Sequence, residues 1–231
     1  MSGGAQAAML PDGRLHLQHG PIDLVIGVDG PGRSAALTRA ARRFETILDE
    51  LVNELPRLRR PDGPLPHGAV ARRMAEAVAP WNDFVTPMAA VAGAVADEIL
   101  TVIRDGREVT RAHVNNGGDV ALWLAPGQTM QAAIAGASDN RITLTAAEGI
   151  GGVATSGWRG RSHSLGIADS VTALAATAAR ADVAATLIAN AVDLPGHPAI
   201  SRVPARDLSP DSDLGDRLVT RAVGPLSEVE I

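Results

Sequence analysis

Apolar positions recur every three or four residues from Leu37 through Ala41, Phe44, Ile47, Leu48, Leu51 and Val52 to Leu55, which predicts a long amphipathic helix over 34–55. Ser34 reads as its N-cap and Pro56 as its stop. Before it, Arg14–Gln18 and Ile22–Val28 are short alternating or apolar runs separated by Gly20-Pro21, the pattern of paired strands. After the Pro61–Pro66 loop, His67–Ala79 predicts a shorter helix with Arg72, Arg73 and Glu76 in water. Thr86-Pro87 then starts a third helix to Arg104, since Thr suits the cap and Pro the first helical position. This third helix is apolar nearly all round and rich in small residues, so it belongs in the centre of the domain.

The period then changes from helical to strand-like. Glu108–Val114, Val120–Leu124, Thr129–Ala135 and Arg141–Ala146 read as four strands, with Asn116-Gly117-Gly118-Asp119 turning the first into the second and Ala137–Asn140 separating the last two. A glycine-rich crossing segment, Gly149–Gly157, leads to a strand at Ser170–Thr177 and a helix opening at Asp182 and running to about Ala191. The tail after Pro195 is loop-rich, with one more strand at Arg217–Val223. Hairpin-ordered strands with long helices predict an α+β fold, a mostly antiparallel sheet packed against helices. The chain is long enough for one domain, with two lobes at about 1–85 and 86–231 left open.

Composition narrows the chemistry. All 21 basic residues are Arg, so no lysine mechanism such as a Schiff base is available. Cysteine is absent, which excludes disulfides, thiolate metal sites and a Cys nucleophile. A formal charge of −5 argues against a dedicated nucleic-acid binder. The most apolar segment, Phe84–Ile103, carries Asp97 and Glu98 in its middle and so reads as a buried helix and not a membrane span. The start of the chain has no apolar run of the secretory kind, so the cytoplasm is the expected location.

Three stretches carry candidate chemistry. In Asp182-Val183-Ala184-Ala185-Thr186, helical spacing brings the Asp182 carboxylate and the Thr186 hydroxyl to one face. Two hard oxygens there suit Mg²⁺ or Ca²⁺, and the helix start beside them suits a phosphate. The plainer reading makes Asp182 the helix cap. Asn115–Asp119 is either a hairpin turn or a place where glycines let a ring or phosphate reach the backbone. Gly149–Gly157 ends in Thr155-Ser156-Gly157 and lacks the Lys of a P-loop, leaving a glycine-rich strand or a backbone cradle for an anion. His163, between Ser162 and Ser164, is either a structural histidine or a general base. His16, His19, His67, His113 and His197 form no metal-binding spacing.

Together these pieces resemble the ApbE superfamily, whose known enzymes move FMN from FAD onto a protein threonine. Its A-K-G-Y-A-V-D helix is matched by Val91–Asp97 at Gly93 and Asp97, and its N-x-G-G-D by Asn115–Asp119. Its A-T-S-G is matched by Ala154–Gly157, and its V-T-V then A-D-A-x-A-T by Val171–Ala173 and Ala181–Thr186. The four motifs keep the family order and run from about Met88 to Asn190. The resemblance implies a T-fold-like architecture and a Mg²⁺ site at Asp182 and Thr186, aided by a backbone carbonyl near Ala89–Val91. It also implies a flavin or nucleotide site, FAD among the candidates, at Gly93, Asp97, Asn116, Gly117, Gly118, Asp119, Gly151, Gly152, Thr155, Ser156 and Gly157. His163 stands where a family histidine is expected. Ala92 replaces the family Lys, and Trp158–Asp169 replaces the family segment after T-S-G. These departures resemble a shorter, cytoplasmic, uncharacterised branch, for which a flavin- or nucleotide-processing enzyme and a non-catalytic flavin, pterin or purine binder are both expectations. The expected partner is a small molecule, with no nucleic acid and no membrane, and a homo-oligomer stays open.

Overall fold

A computed structural model describes residues 4–106, 108–134 and 141–228. Three strands open the chain, β1 (Gln6–Met9), β2 (Leu15–His19) and β3 (Ile22–Asp29). In β2 and β3 alternate residues are buried, from Leu15 and Leu17 to Ile22, Leu24, Ile26 and Val28, so one face of the sheet is dictated by period-two patterning. β1 is exposed along its whole length, and its small residues gave no alternation to read.

Helix α1 (Arg33–Leu58) covers that face with Ala36, Ala40, Phe44, Ile47, Leu51 and Leu58. Its cap position is Gly32, not Ser34, and it passes through Pro56 instead of stopping there. Proline removes only its own N–H; Arg59 N–H still donates to the Leu55 carbonyl at 3.1 Å, and fully buried Leu58 holds the last turn in place. Next come α2 (Ala69–Val78), a 3₁₀ turn (Pro87–Ala90) whose first residues are capped by the Thr86 hydroxyl, and α3 (Val91–Arg104). Arg73 on α2 is not simply solvated. It shares the buried Glu98 carboxylate with Arg43 at 3.2 and 2.8 Å, a polar clip joining α1, α2 and α3.

The chain returns through β4 (Arg111–Asn116) and β5 (Asp119–Leu124), then a hairpin of β6 (Thr129–Ala133) and β7 (Arg141–Thr145). β4 starts three residues later than its apolar pattern suggested. The expected separator at Ala137–Asn140 lies outside the described residues. β8 (Gly152–Ser156) and β9 (Val171–Ala175) complete the sheet and lead into α4 (Ala178–Ala191). The glycine-rich crossing segment is therefore a strand over its second half. Helix α4 starts one turn before Asp182, because its cap is Thr177, whose hydroxyl accepts from Arg180 N–H at 3.3 Å. The tail forms β10 (Ile200–Pro204), short α5 (Ala205–Leu208) and β11 (Leu218–Val223), one strand more than its loop-like composition implied.

The seven-stranded sheet runs β1-β2-β3-β4-β5-β8-β9, and every ladder among the described strands is antiparallel. One hydrophobic core runs from Leu15 to Val183 between the sheet and the helices. The expected α+β architecture is what the chain adopts. Among the described residues no helix is long and apolar enough to cross a membrane.

Candidate functional site

The site forms where α3 and α4 cross over the end of the sheet. Gly93 lies in the first turn of α3, and a Cβ there would sit 2.4 Å from the Ala178 carbonyl oxygen. Only glycine allows the first turns of both helices to pass this closely. The helices then cap one another. Asp97 of α3 accepts from Ala178 and Ala179 N–H of α4, at 3.0 and 2.9 Å. Asp182 of α4 accepts from Gly93 N–H of α3 at 3.1 Å through Oδ2. Asp182 thus satisfies a helix start, as its plainer reading held, but the start belongs to α3 and not to its own helix.

Asp97 is buried with both oxygens engaged by backbone N–H groups. An unsatisfied buried N–H costs roughly 1–3 kcal/mol. Asp97→Ala should therefore lower unfolding stability by about 2–4 kcal/mol, measured as a shift in denaturant midpoint at constant slope.

The β4–β5 turn closes the site from below. Gly117 and Gly118 take φ of 65° and 120°, both left-handed, as a two-residue hairpin needs. Asn116, paired with Asp119 across the turn, is buried and donates from Nδ2 to the Ala92 carbonyl at 3.1 Å. That bond ties the turn to the start of α3. Asp119 accepts from Thr155 N–H at 3.3 Å through Oδ1. Strand register puts Asp119 and Ser156 on the helix side of the sheet and Thr155 on the opposite side, where its hydroxyl meets Thr172 at 2.8 Å.

Asp119 and Asp182 lie close enough to feel each other's charge. Burial pushes the Asp119 carboxyl up to about 6 against the opposing pull of the Thr155 N–H bond. Burial raises Asp182 well above the ordinary carboxylate range, and the Asp119 charge adds to the rise. Burial also raises Asp97, against its two backbone hydrogen bonds. Among the described residues one oxygen of Asp119 and one of Asp182 accept no hydrogen bond. Two interacting, half-buried carboxylates, each with one oxygen unpaired within the protein, suit a shared proton or a hard cation. Thr186, one helical turn beyond Asp182, is partly buried on the same helix. No cluster of three His, Cys, Asp or Glu with metal-binding geometry occurs among the described residues. A cation here would rest on the two carboxylates, hydroxyl or carbonyl oxygens and water, which fits Mg²⁺ and not zinc.

Other expected site residues serve the packing. At Gly151 and Gly152 a Cβ would lie 2.3 Å from the Ala176 carbonyl oxygen and 2.2 Å from Ala178 N, so both let α4 start against β8. At Gly157 it would meet the Asp169 carbonyl at 2.4 Å. His163 lies in the loop after β8, its Nε2 3.3 Å from Ser209 Oγ in the C-terminal segment. That loop is pinned to α4 by Asn190, whose Oδ1 accepts from Leu165 N–H at 2.9 Å. The sequence marks Asp119 and Asp182 in separate motifs and does not show that they form a pair.

Comparison with known proteins gives the family. The family model described as "AbpE bacteria" matches residues 7–231. The chain is also 34% identical over 180 residues to UPF0280 protein MK0206 of Methanopyrus kandleri, covering 73% of this chain and 69% of that protein. The chain therefore belongs to the AbpE bacteria family, an ApbE-related group.

Proposed function

We propose that this chain is an ApbE-like, Mg²⁺-dependent protein that processes a flavin or other nucleotide at its pyrophosphate, by FMN transfer or by cleavage of FAD. The reading includes a T-fold-like architecture and a cytoplasmic location. The observation that carries it is the Asp119–Asp182 pair, two half-buried carboxylates with raised pKa, each with an oxygen left over. Asp182, Asp119 and Thr186 would hold the cation. A bound Mg²⁺ supplies charge neutralisation at a pyrophosphate. The chain's own part is to orient these carboxylates through the Gly93 and Thr155 N–H groups. The resemblance assigns proton transfer to His163, whose ring is held by Ser209.

Ala92 gives a second reading its support. A residue with no side-chain functional group stands where the superfamily has Lys, so a protein that binds a flavin, pterin or purine without reacting with it fits the same site. Chromatography of FAD after incubation separates the two. The enzyme reading predicts FMN or an FMN adduct with Mg²⁺, none in EDTA, and none from Asp182→Asn. FAD recovered intact under all three conditions, with binding retained, would establish the second reading and overturn the first.

A further inference from the structure

The sheet has a second face, opposite the helices and the carboxylate pair. We propose that the groove along this open face binds an elongated ligand with an apolar body and a phosphomonoester end. The cavity there is about 880 Å³, within the range of small-molecule sites. It follows β4 from Arg111 to Asn115, roughly 13 Å at strand rise. The strand edges of β6 roof it.

One end is cationic. Arg14, Arg33 and Arg111 line it against only Asp12 and Asp29. Each guanidinium is anchored, Arg111 on two sides because its Nη1 also donates to the Thr129 carbonyl at 3.2 Å. Arg14 pairs with Asp12 at 2.6 Å and Arg111 with Asp29 at 2.7 Å. Arg33 donates to the Gly13 carbonyl and meets no carboxylate among the described residues. Held arginines with donors to spare match the planar, multidentate demand of a phosphate. His113 lies flat beside them, opposite Gly27 in the register, where a Cβ would come within 2.3 Å of its ring. Burial and the charges of Arg14 and Arg111 lower the pKa of that ring against the pull of Asp29, so it offers a hydrogen-bonding edge beside the arginines. The middle of the groove is apolar, with Val120 and Val153 on its floor and Met130 above. An anion at the arginine end therefore leaves about 10 Å of groove for a ring system, with Val120, Val153 and Met130 for its apolar faces and Asn115, Gln131 and Thr155 for its polar edges.

This inference does not rest on the cation at Asp119 and Asp182, which face the other side of the sheet. The test uses two pairs of probes that differ only by a phosphate, FMN with riboflavin by flavin fluorescence, and AMP with adenosine by calorimetry, all in EDTA. At least one phosphorylated probe should bind tenfold or more tightly than its partner. Arg33→Gln, alone and with Arg111→Gln, should erase the preference while the variant keeps a wild-type melting curve. Asp182→Asn should leave it unchanged. Neither phosphorylated probe being preferred would overturn the proposal, as would a preference that survives in Arg33→Gln or disappears in Asp182→Asn.

Discussion

Asp182→Asn should make the metal-free protein more stable at pH 8, by on the order of 2 kcal/mol, although it removes a hydrogen-bonded buried side chain. The sign follows from the direction of the shift. A carboxyl whose folded-state pKa is raised keeps its proton longer in the folded chain than in the unfolded one. The stability it contributes is full below the unfolded value and drains away as pH rises through the folded one. For Asp119 that window runs from 3.8 to about 6, and Asp182 extends it upward because its pKa lies well above the ordinary value. Toward high pH the two half-buried carboxyls come to carry charge beside each other. Neutralising one relieves the repulsion. At pH 5, below the Asp119 value of about 6, that charge is largely absent and the variant should gain little. His113 titrates with the opposite sign, since its pKa is lowered, so the comparison is the variant minus wild type at each pH. Adding Mg²⁺ at pH 8 should reverse the order, because wild type gains linkage stability and Asp182→Asn does not. Thermal melts at pH 5 and pH 8, with Mg²⁺ or EDTA, check both statements. A variant less stable than wild type in EDTA at pH 8 would mean that the Gly93 hydrogen bond outweighs the repulsion.

Gly93→Ala should be among the most damaging single-methyl changes in the chain. In an exposed helix, Gly to Ala gains about 1 kcal/mol of propensity. Here the new Cβ would lie 2.4 and 2.5 Å from Ala178 O and C and 2.7 Å from Ala179 N, all backbone atoms that cannot rotate away. Separating the helices should cost about 3 kcal/mol or more, for a net loss near 2 kcal/mol. It should also weaken cation binding, because Asp182 is oriented by the N–H of this residue. Gly118→Ala is the control. Its Cβ would meet nothing within 4 Å, so only the strained φ of 120° is paid for, roughly 1 kcal/mol. Chemical denaturation of the two variants side by side should give the larger loss at Gly93. Equal losses would show that the crossing is loose enough to absorb a methyl group.

The elements that sequence showed most clearly are those with one buried face. β2 and β3 follow their apolar periods almost to the residue, because each presents one stripe to one core, whereas the buried stripe of α1 turns onto Ala36, Ala40 and Leu58 and leaves Val52 exposed. α4 was harder. Its residues are small on every side, so no stripe marks its start, and Asp182 looked like a beginning when it sits one turn inside. β1 has no buried residue, so nothing alternates. For the site, the family motifs named Asp182, Asp119 and Gly93 from sequence. Their physical roles were not legible, since they depend on contacts across long separations: Asp97 caps residues 81 and 82 positions away, and Asp182 accepts from a residue 89 positions away. The open-face groove was half visible. Alternation puts Arg111, His113 and Asn115 on one side of β4, but only the fold brings Arg14 and Arg33 to the same end.

The central claim is that Asp119 and Asp182 together hold a hard divalent cation. Isothermal titration of Mg²⁺ into wild type, Asp119→Asn and Asp182→Asn at pH 8 and pH 5 tests it most directly. The account predicts one site in wild type at pH 8, tenfold or greater weakening at pH 5 as both carboxyls take up protons, and loss of measurable binding in Asp182→Asn with a strong reduction in Asp119→Asn. Mg²⁺ affinity unchanged in Asp182→Asn, or independent of pH across this range, would contradict it.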